Sequence, residues 1–143
     1  MLFVCVANEN RSQIAEAVFN DLSKNNSAIS AGLKPKLVGA SLGNERSRFV
    51  AVMKEEGYSI SNARVKRVNK KLANSAGKIV FVFEAKHLQD APAYLLNRSG
   101  TELWQVESIS DEVSIEEYAR LERKRIRKIR ERVEELVNRL ESQ

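Results

Sequence analysis

The chain has one cysteine, Cys5, and one histidine, His87. A lone cysteine excludes an intramolecular disulfide, and this pair of counts excludes both cysteine-rich zinc sites and histidine-cluster metal sites. No metal and no cofactor is expected. A serine–histidine–aspartate hydrolase would have to use His87, and no G-x-S-x-G elbow supports one. With two prolines and six glycines, the chain offers no linker at which to divide it. No apolar run approaches the ~20 residues of a membrane helix, so no membrane partner is expected. The longest candidate, Ile79–Phe83, is strand-sized. The apolar start, Met1-Leu2-Phe3-Val4, lacks a basic leader and a cleavage site, so no signal peptide is expected. A reducing, cytoplasmic setting is the simplest reading.

What is present is an ordinary globular composition. The 143 residues are 43% hydrophobic and 30% charged, enough for one domain with a sizeable core. The net charge of +5 is largely local: between Arg120 and Glu135 stand eight basic residues and four acids. Tyr118, Leu121, Ile126, Ile129, Val133, Leu136, Val137 and Leu140 recur through this stretch at three- and four-residue spacings. That pattern predicts one apolar face of a long helix, with the charges as its solvated back. No aromatic residues interleave with the charges, which argues against a nucleic-acid partner.

Strand and helix patterns alternate along the chain. Strands are predicted at Met1–Val6, Ala28–Ala31, Lys78–Phe83 and Thr101–Val106. Helices are predicted at Arg11–Lys24, Gly43–Glu56, Asn69–Ala76, part of His87–Asn97, and Ile115–Glu141. This order predicts an α/β fold: a four-stranded parallel sheet with helices on both faces. Ligands of such sheets bind beyond the C-terminal strand ends.

That rule points to the segment after the first strand, Cys5-Val6-Ala7-Asn8-Glu9-Asn10-Arg11-Ser12. A loop wrapping onto a helix N-terminus directs backbone N–H groups at an anion. Arg11 adds a planar fork for two oxygens of a phosphate-like group. The same positive potential favours a thiolate over a thiol at such a position. Ser12 can donate to that sulfur, and Asn8 suits a loop position needing positive φ. Taken one at a time, Cys5 also reads as a small core residue and Arg11 as a first-turn arginine. The strand–loop–helix context and Ser12 favour a nucleophile in an anion cradle.

These residues resemble the phosphate loop C-x-x-N-x-x-R-S of the low-molecular-weight protein tyrosine phosphatases and the thioredoxin-coupled arsenate reductases that share their fold. Ser30-Ala31-Gly32-Leu33 with Pro35 is similar to the family's SAGT-x-P stretch. Met53-Lys54-Glu55-Glu56-Gly57-Tyr58-Ser59-Ile60-Ser61 is similar to its M-x-E-x-G-I-D-I-S segment. Gln13, in the helix after the loop, leans toward the reductase branch. The resemblance implies one phosphatase-like domain over residues 1–143. It implies phosphate or another tetrahedral oxyanion as ligand, held by Ala7, Asn8, Glu9, Asn10, Arg11 and Ser12. It implies a phosphorylated substrate, an aryl phosphate or phosphotyrosine, hydrolysed through a phosphocysteine on Cys5 with Arg11 as the oxyanion clamp. Arsenate reduction with an external thiol is the enzymatic alternative. A degenerate oxyanion-binding regulator is the other.

The sequence departs from the pattern in three places. The loop interior is Ala7, Glu9 and Asn10, where the phosphatases usually have glycine, an apolar residue and a second cysteine; an inward Glu9 would weaken anion binding. The family's general acid is an aspartate after the last strand. A gapless reading from Trp104 puts Ser108 there with Glu107 beside it, whereas matching Ile109-Ser110-Asp111 to the family's I-P-D puts Asp111 there. Asp111 is preferred over Glu107, although it also reads as a charge at the approach to the last helix. Glu84, at the end of the central strand, is a supporting residue, an alternative acid or simply a strand-end charge. Finally, no second cysteine exists for an internal disulfide relay.

Overall fold

The computed structural model describes residues 1–110 and 112–142. Four strands, β1 (Leu2–Cys5), β2 (Ile29–Gly32), β3 (Ile79–Val82) and β4 (Glu102–Trp104), form a parallel sheet in the order β2-β1-β3-β4. The helices are α1 (Arg11–Leu22), α2 (Leu42–Glu45), α3 (Ser47–Glu55), α4 (Lys70–Ser75), α5 (Ala93–Leu96) and α6 (Ile115–Glu141). A 3-10 turn spans Ala85–Asp90. The first and central strands lie side by side, so the loop after β1 opens at the carboxyl edge in the middle of the sheet.

Strand alternation sorts the core into two layers. Phe3, Val80, Val82 and Trp104 pack with residues of α1, α3 and α6. Leu2, Val4, Ile79 and Phe81 pack on the other face with Ala73 of α4 and Leu95 of α5. Phe3 anchors the first layer, 5.9 Å edge-on from Phe19 and 5.6 Å from Trp104 between ring centroids. Trp104 is thus a core residue.

Three expectations change. The helix expected over Gly43–Glu56 breaks at Arg46, whose φ of −137° and ψ of 52° leave the helical region. The break turns the Arg46 guanidinium to the carboxylate of Glu9. The fourth strand shortens to Glu102–Trp104, which frees 105–110 to run past the end of the sheet. Third, the charges of α6 are not all on its solvated back. Glu122 is 0% exposed and Arg125 9%. Pro92, expected within a partly helical stretch, sits at the N-cap of α5, where a missing N–H does little harm.

α6 keeps its expected bounds because its start is capped. The Ser114 side chain accepts from the Glu117 amide at 3.1 Å, and Glu116 and Glu117 place negative charge in the first turn.

Candidate active site

The loop between β1 and α1 is held by Asn8. Its φ is 58°, in the left-handed region that asparagine tolerates. It is fully buried, and its side chain is saturated. Nδ2 donates to Ser12 Oγ and to Ser30 Oγ, both at 2.9 Å. Oδ1 accepts from Gln13 Nε2 at 3.0 Å and from the Lys66 amide at 2.8 Å. Gly32 lets β2 run close beneath the loop: a Cβ there would meet Val6 O at 2.8 Å and the Ala7 carbonyl carbon at 2.9 Å.

Cys5 Sγ sits inside this frame. Ser12 Oγ is 2.9 Å from it, and the Asn8 amide donates to it at 3.3 Å. Among the described residues, the amides of Ala7, Glu9, Asn10, Arg11, Ser12 and Gln13 have no protein acceptor. The first intrahelical bond of α1 is Ile14 N–H to Asn10 O at 2.9 Å. A helix start with this many unpaired donors is suited to an anion.

Arg11 is 9% exposed and, among the described residues, is anchored through Nη1 alone. That nitrogen donates to Glu84 Oε1 at 2.7 Å and to the Val106 carbonyl at 2.6 Å. Nε and Nη2 have no partner among the described residues, so the other edge of the fork is available to an oxyanion. Burial pushes the Glu84 carboxyl up. The Arg11 hydrogen bond and charge, with backbone amides including that of Ser108, outweigh it and bring the group down to about 2. Glu84 is therefore ionised across the neutral range. His87 Nε2 lies 3.4 Å from the same carboxylate.

An open cavity of about 470 Å³ adjoins the loop, with Glu9, Asn10, Arg11, Arg46, Arg48, Ser108, Ile109, Tyr118 and Arg125 in its wall. Glu9 is nine-tenths buried there, and its charge is met by Arg46. Segment 105–110 supplies Ser108 and Ile109 to the cavity, while Glu107 lines a neighbouring groove. Asp111 lies outside the described residues.

Sequence reasoning missed one cluster. Glu122 receives both arms of Arg125, Nε at 3.0 Å and Nη2 at 2.7 Å. It also accepts from Asn10 Nδ2 of the loop at 3.0 Å. Burial, reinforced by this carboxylate, pushes the Tyr118 phenol up. The Arg48 guanidinium covers the Tyr118 ring, 4.3 Å from its centroid. A buried ion pair thus ties α6 to the loop after β1. The signal was present: positions 118, 122, 125, 129, 133 and 136 form one stripe at helical spacing, so Glu122 and Arg125 continue the apolar face.

An α/β sheet carrying a cysteine within an amide-rich loop after its first strand defines a class of oxyanion-handling proteins. The chain belongs to the low molecular weight phosphotyrosine protein phosphatase family, whose model matches residues 1–143. Among solved structures it is similar to an arsenate reductase from Archaeoglobus fulgidus, with 25% identity, 96% of this chain and 98% of that one covered, and a TM-score of 0.67. It is also similar to a low molecular weight protein tyrosine phosphatase from T. tengcongensis, with 23% identity, 96% and 97% coverage and a TM-score of 0.73. A third is Vibrio vulnificus Wzb in complex with benzylphosphonate, with 22% identity, 96% of each chain covered and a TM-score of 0.76. For these last two the likeness is one of fold. No curated protein matches the chain. Among the described residues, no helix is long and apolar enough to cross a membrane.

Proposed function

We propose that this chain is a cysteine-dependent phosphomonoesterase that hydrolyses aryl phosphates, phosphotyrosine among them, in the cytoplasm. The observation that carries the reading is the environment of Cys5 Sγ: Ser12 Oγ at 2.9 Å and the Asn8 amide at 3.3 Å, within a loop where the amides of Ala7, Glu9 and Asn10 have no acceptor among the described residues. Cys5 is 3% exposed, so phosphorus reaches it only when the phosphoryl oxygens seat among those amides. The thiolate attacks in line, an S–P bond forms and the P–O bond to the leaving group breaks. Arg11 and the amides hold the equatorial oxygens through both steps. Asp111 gives its proton to the departing phenolate, then takes one from the water that releases phosphate.

The test compares leaving groups. Protonating a poor leaving group contributes ~10²–10⁴-fold. Asp111→Asn slows phenyl phosphate hydrolysis strongly and p-nitrophenyl phosphate less, because p-nitrophenolate departs without a proton. Glu107→Gln is mild with both. The reverse ranking moves the role to Glu107. Phosphate binding without turnover in the wild-type protein points to a regulatory oxyanion binder. Turnover of arsenate with an added thiol, but not of aryl phosphates, points to the reductase reading.

A further inference from the structure

A second groove, of about 460 Å³, continues from the catalytic cavity and shares Ser108, Ile109 and Arg125 with it. Its apolar lining includes Ile109, Val113 and Leu121, and Lys124 and Lys128 stand along one side. These lysines are one turn apart on α6. Three cations that flank them on this helix are occupied: Arg120 by Glu117 at 2.9 Å, Arg123 by Glu55 at 3.6 Å and Arg127 by Glu56 at 2.8 Å. Arg125 is bound to Glu122. Among the described residues, neither Lys124 nor Lys128 has a carboxylate within salt-bridge distance. Among the described residues, Glu107 is the acid in the groove lining, against these two lysines.

We propose that this groove binds the polypeptide flanking the phosphorylated residue, and that it selects segments carrying acidic side chains. The inference rests on the phosphatase reading and names its substrate class as a phosphorylated acidic peptide. Three features support it. The groove is continuous with the cavity at the anion loop. Its apolar lining suits side chains rather than a small ester. Lys124 and Lys128, without a carboxylate in salt-bridge distance among the described residues, match acidic side chains. A nucleic acid fits less well, since the lining offers no aromatic ring on which a base would stack.

The experiment measures fluorescence anisotropy of labelled phosphotyrosyl peptides on full-length Cys5→Ala protein, which binds without turnover. One peptide has acidic flanks, one neutral flanks, and an RNA oligonucleotide serves as a third probe. At low salt the acidic peptide binds about fivefold more tightly than the neutral one, as two exposed ion pairs supply. The advantage shrinks as salt rises. Lys124→Gln with Lys128→Gln abolishes it, and in the Cys5 background the same pair leaves p-nitrophenyl phosphate hydrolysis unchanged. Equal affinity for both peptides overturns the proposal, as does a preference that survives the double variant. Tighter binding of the RNA, lost in the double variant, assigns the strip to nucleic acid instead. An acidic preference in a protein that hydrolyses no aryl phosphate keeps the groove and refutes the catalytic reading; turnover without preference does the reverse.

Discussion

Glu84→Gln separates an anchor from an acid. Glu84 holds Arg11 through one 2.7 Å hydrogen bond, and its carboxyl is lowered from 4.5 to about 2. A group lowered on folding stabilises the native state above its unfolded value and loses that contribution as pH falls through its folded value. The full shift would correspond to about 3 kcal/mol, and partial exposure of the carboxylate reduces this to about 2 kcal/mol. The variant should therefore unfold at lower urea concentration than wild type at pH 7. The gap should narrow between pH 4.5 and pH 2, where the wild-type carboxyl takes up its proton. Catalytically, a loosened Arg11 weakens oxyanion binding, and kcat/KM falls for phenyl and p-nitrophenyl phosphate by the same factor. A stability gap unchanged at pH 2 would refute the ion-pair reasoning. A far larger loss with phenyl phosphate would make Glu84 the acid.

Other perturbations probe the frame. Gly32→Ala forces a Cβ to within 3 Å of the loop backbone; it should cost about 1–3 kcal/mol and weaken phosphate binding, read by thermal melts with and without phosphate. Asn8→Ala removes the side-chain partner of Ser30 and of the Lys66 amide and one partner each of Ser12 and Gln13, at about 2–4 kcal/mol by denaturant titration. Glu122→Ala leaves Arg125 buried and unpaired and should cost about 3–5 kcal/mol, whereas Glu122→Leu with Arg125→Met should recover most of it.

The geometry of the loop after β1 was legible because it is set locally. Cys5, Asn8, Arg11 and Ser12 occupy eight consecutive residues, and the strand before and helix after them fix how the loop curls. The helix pattern from Ile115 to Glu141 was legible for a similar reason: a long apolar period needs no tertiary partner to be seen. What could not be read depends on residues far apart in sequence. The helical stripe puts Glu122 on the apolar face, but nothing local shows that Asn10, 112 positions away, is brought against it. Arg46 looks helical until Glu9 draws it out of the helix. The Lys124 and Lys128 strip was visible as charge, but which cations had partners depended on Glu55 and Glu56 arriving from α3 and the residue after it. Strand ends also shifted, since Gln105 and Val106 continue the pattern of β4 while their neighbours in the sheet have already ended.

The nucleophile can be tested by acid-quenching the protein during p-nitrophenyl phosphate turnover and mapping the peptides by mass spectrometry. The phosphocysteine mechanism predicts one phosphoryl group on the peptide bearing Cys5, and no hydrolysis by Cys5→Ala, which still binds phosphate. Turnover retained in Cys5→Ala, or steady hydrolysis with the phosphoryl group on another residue, would contradict it.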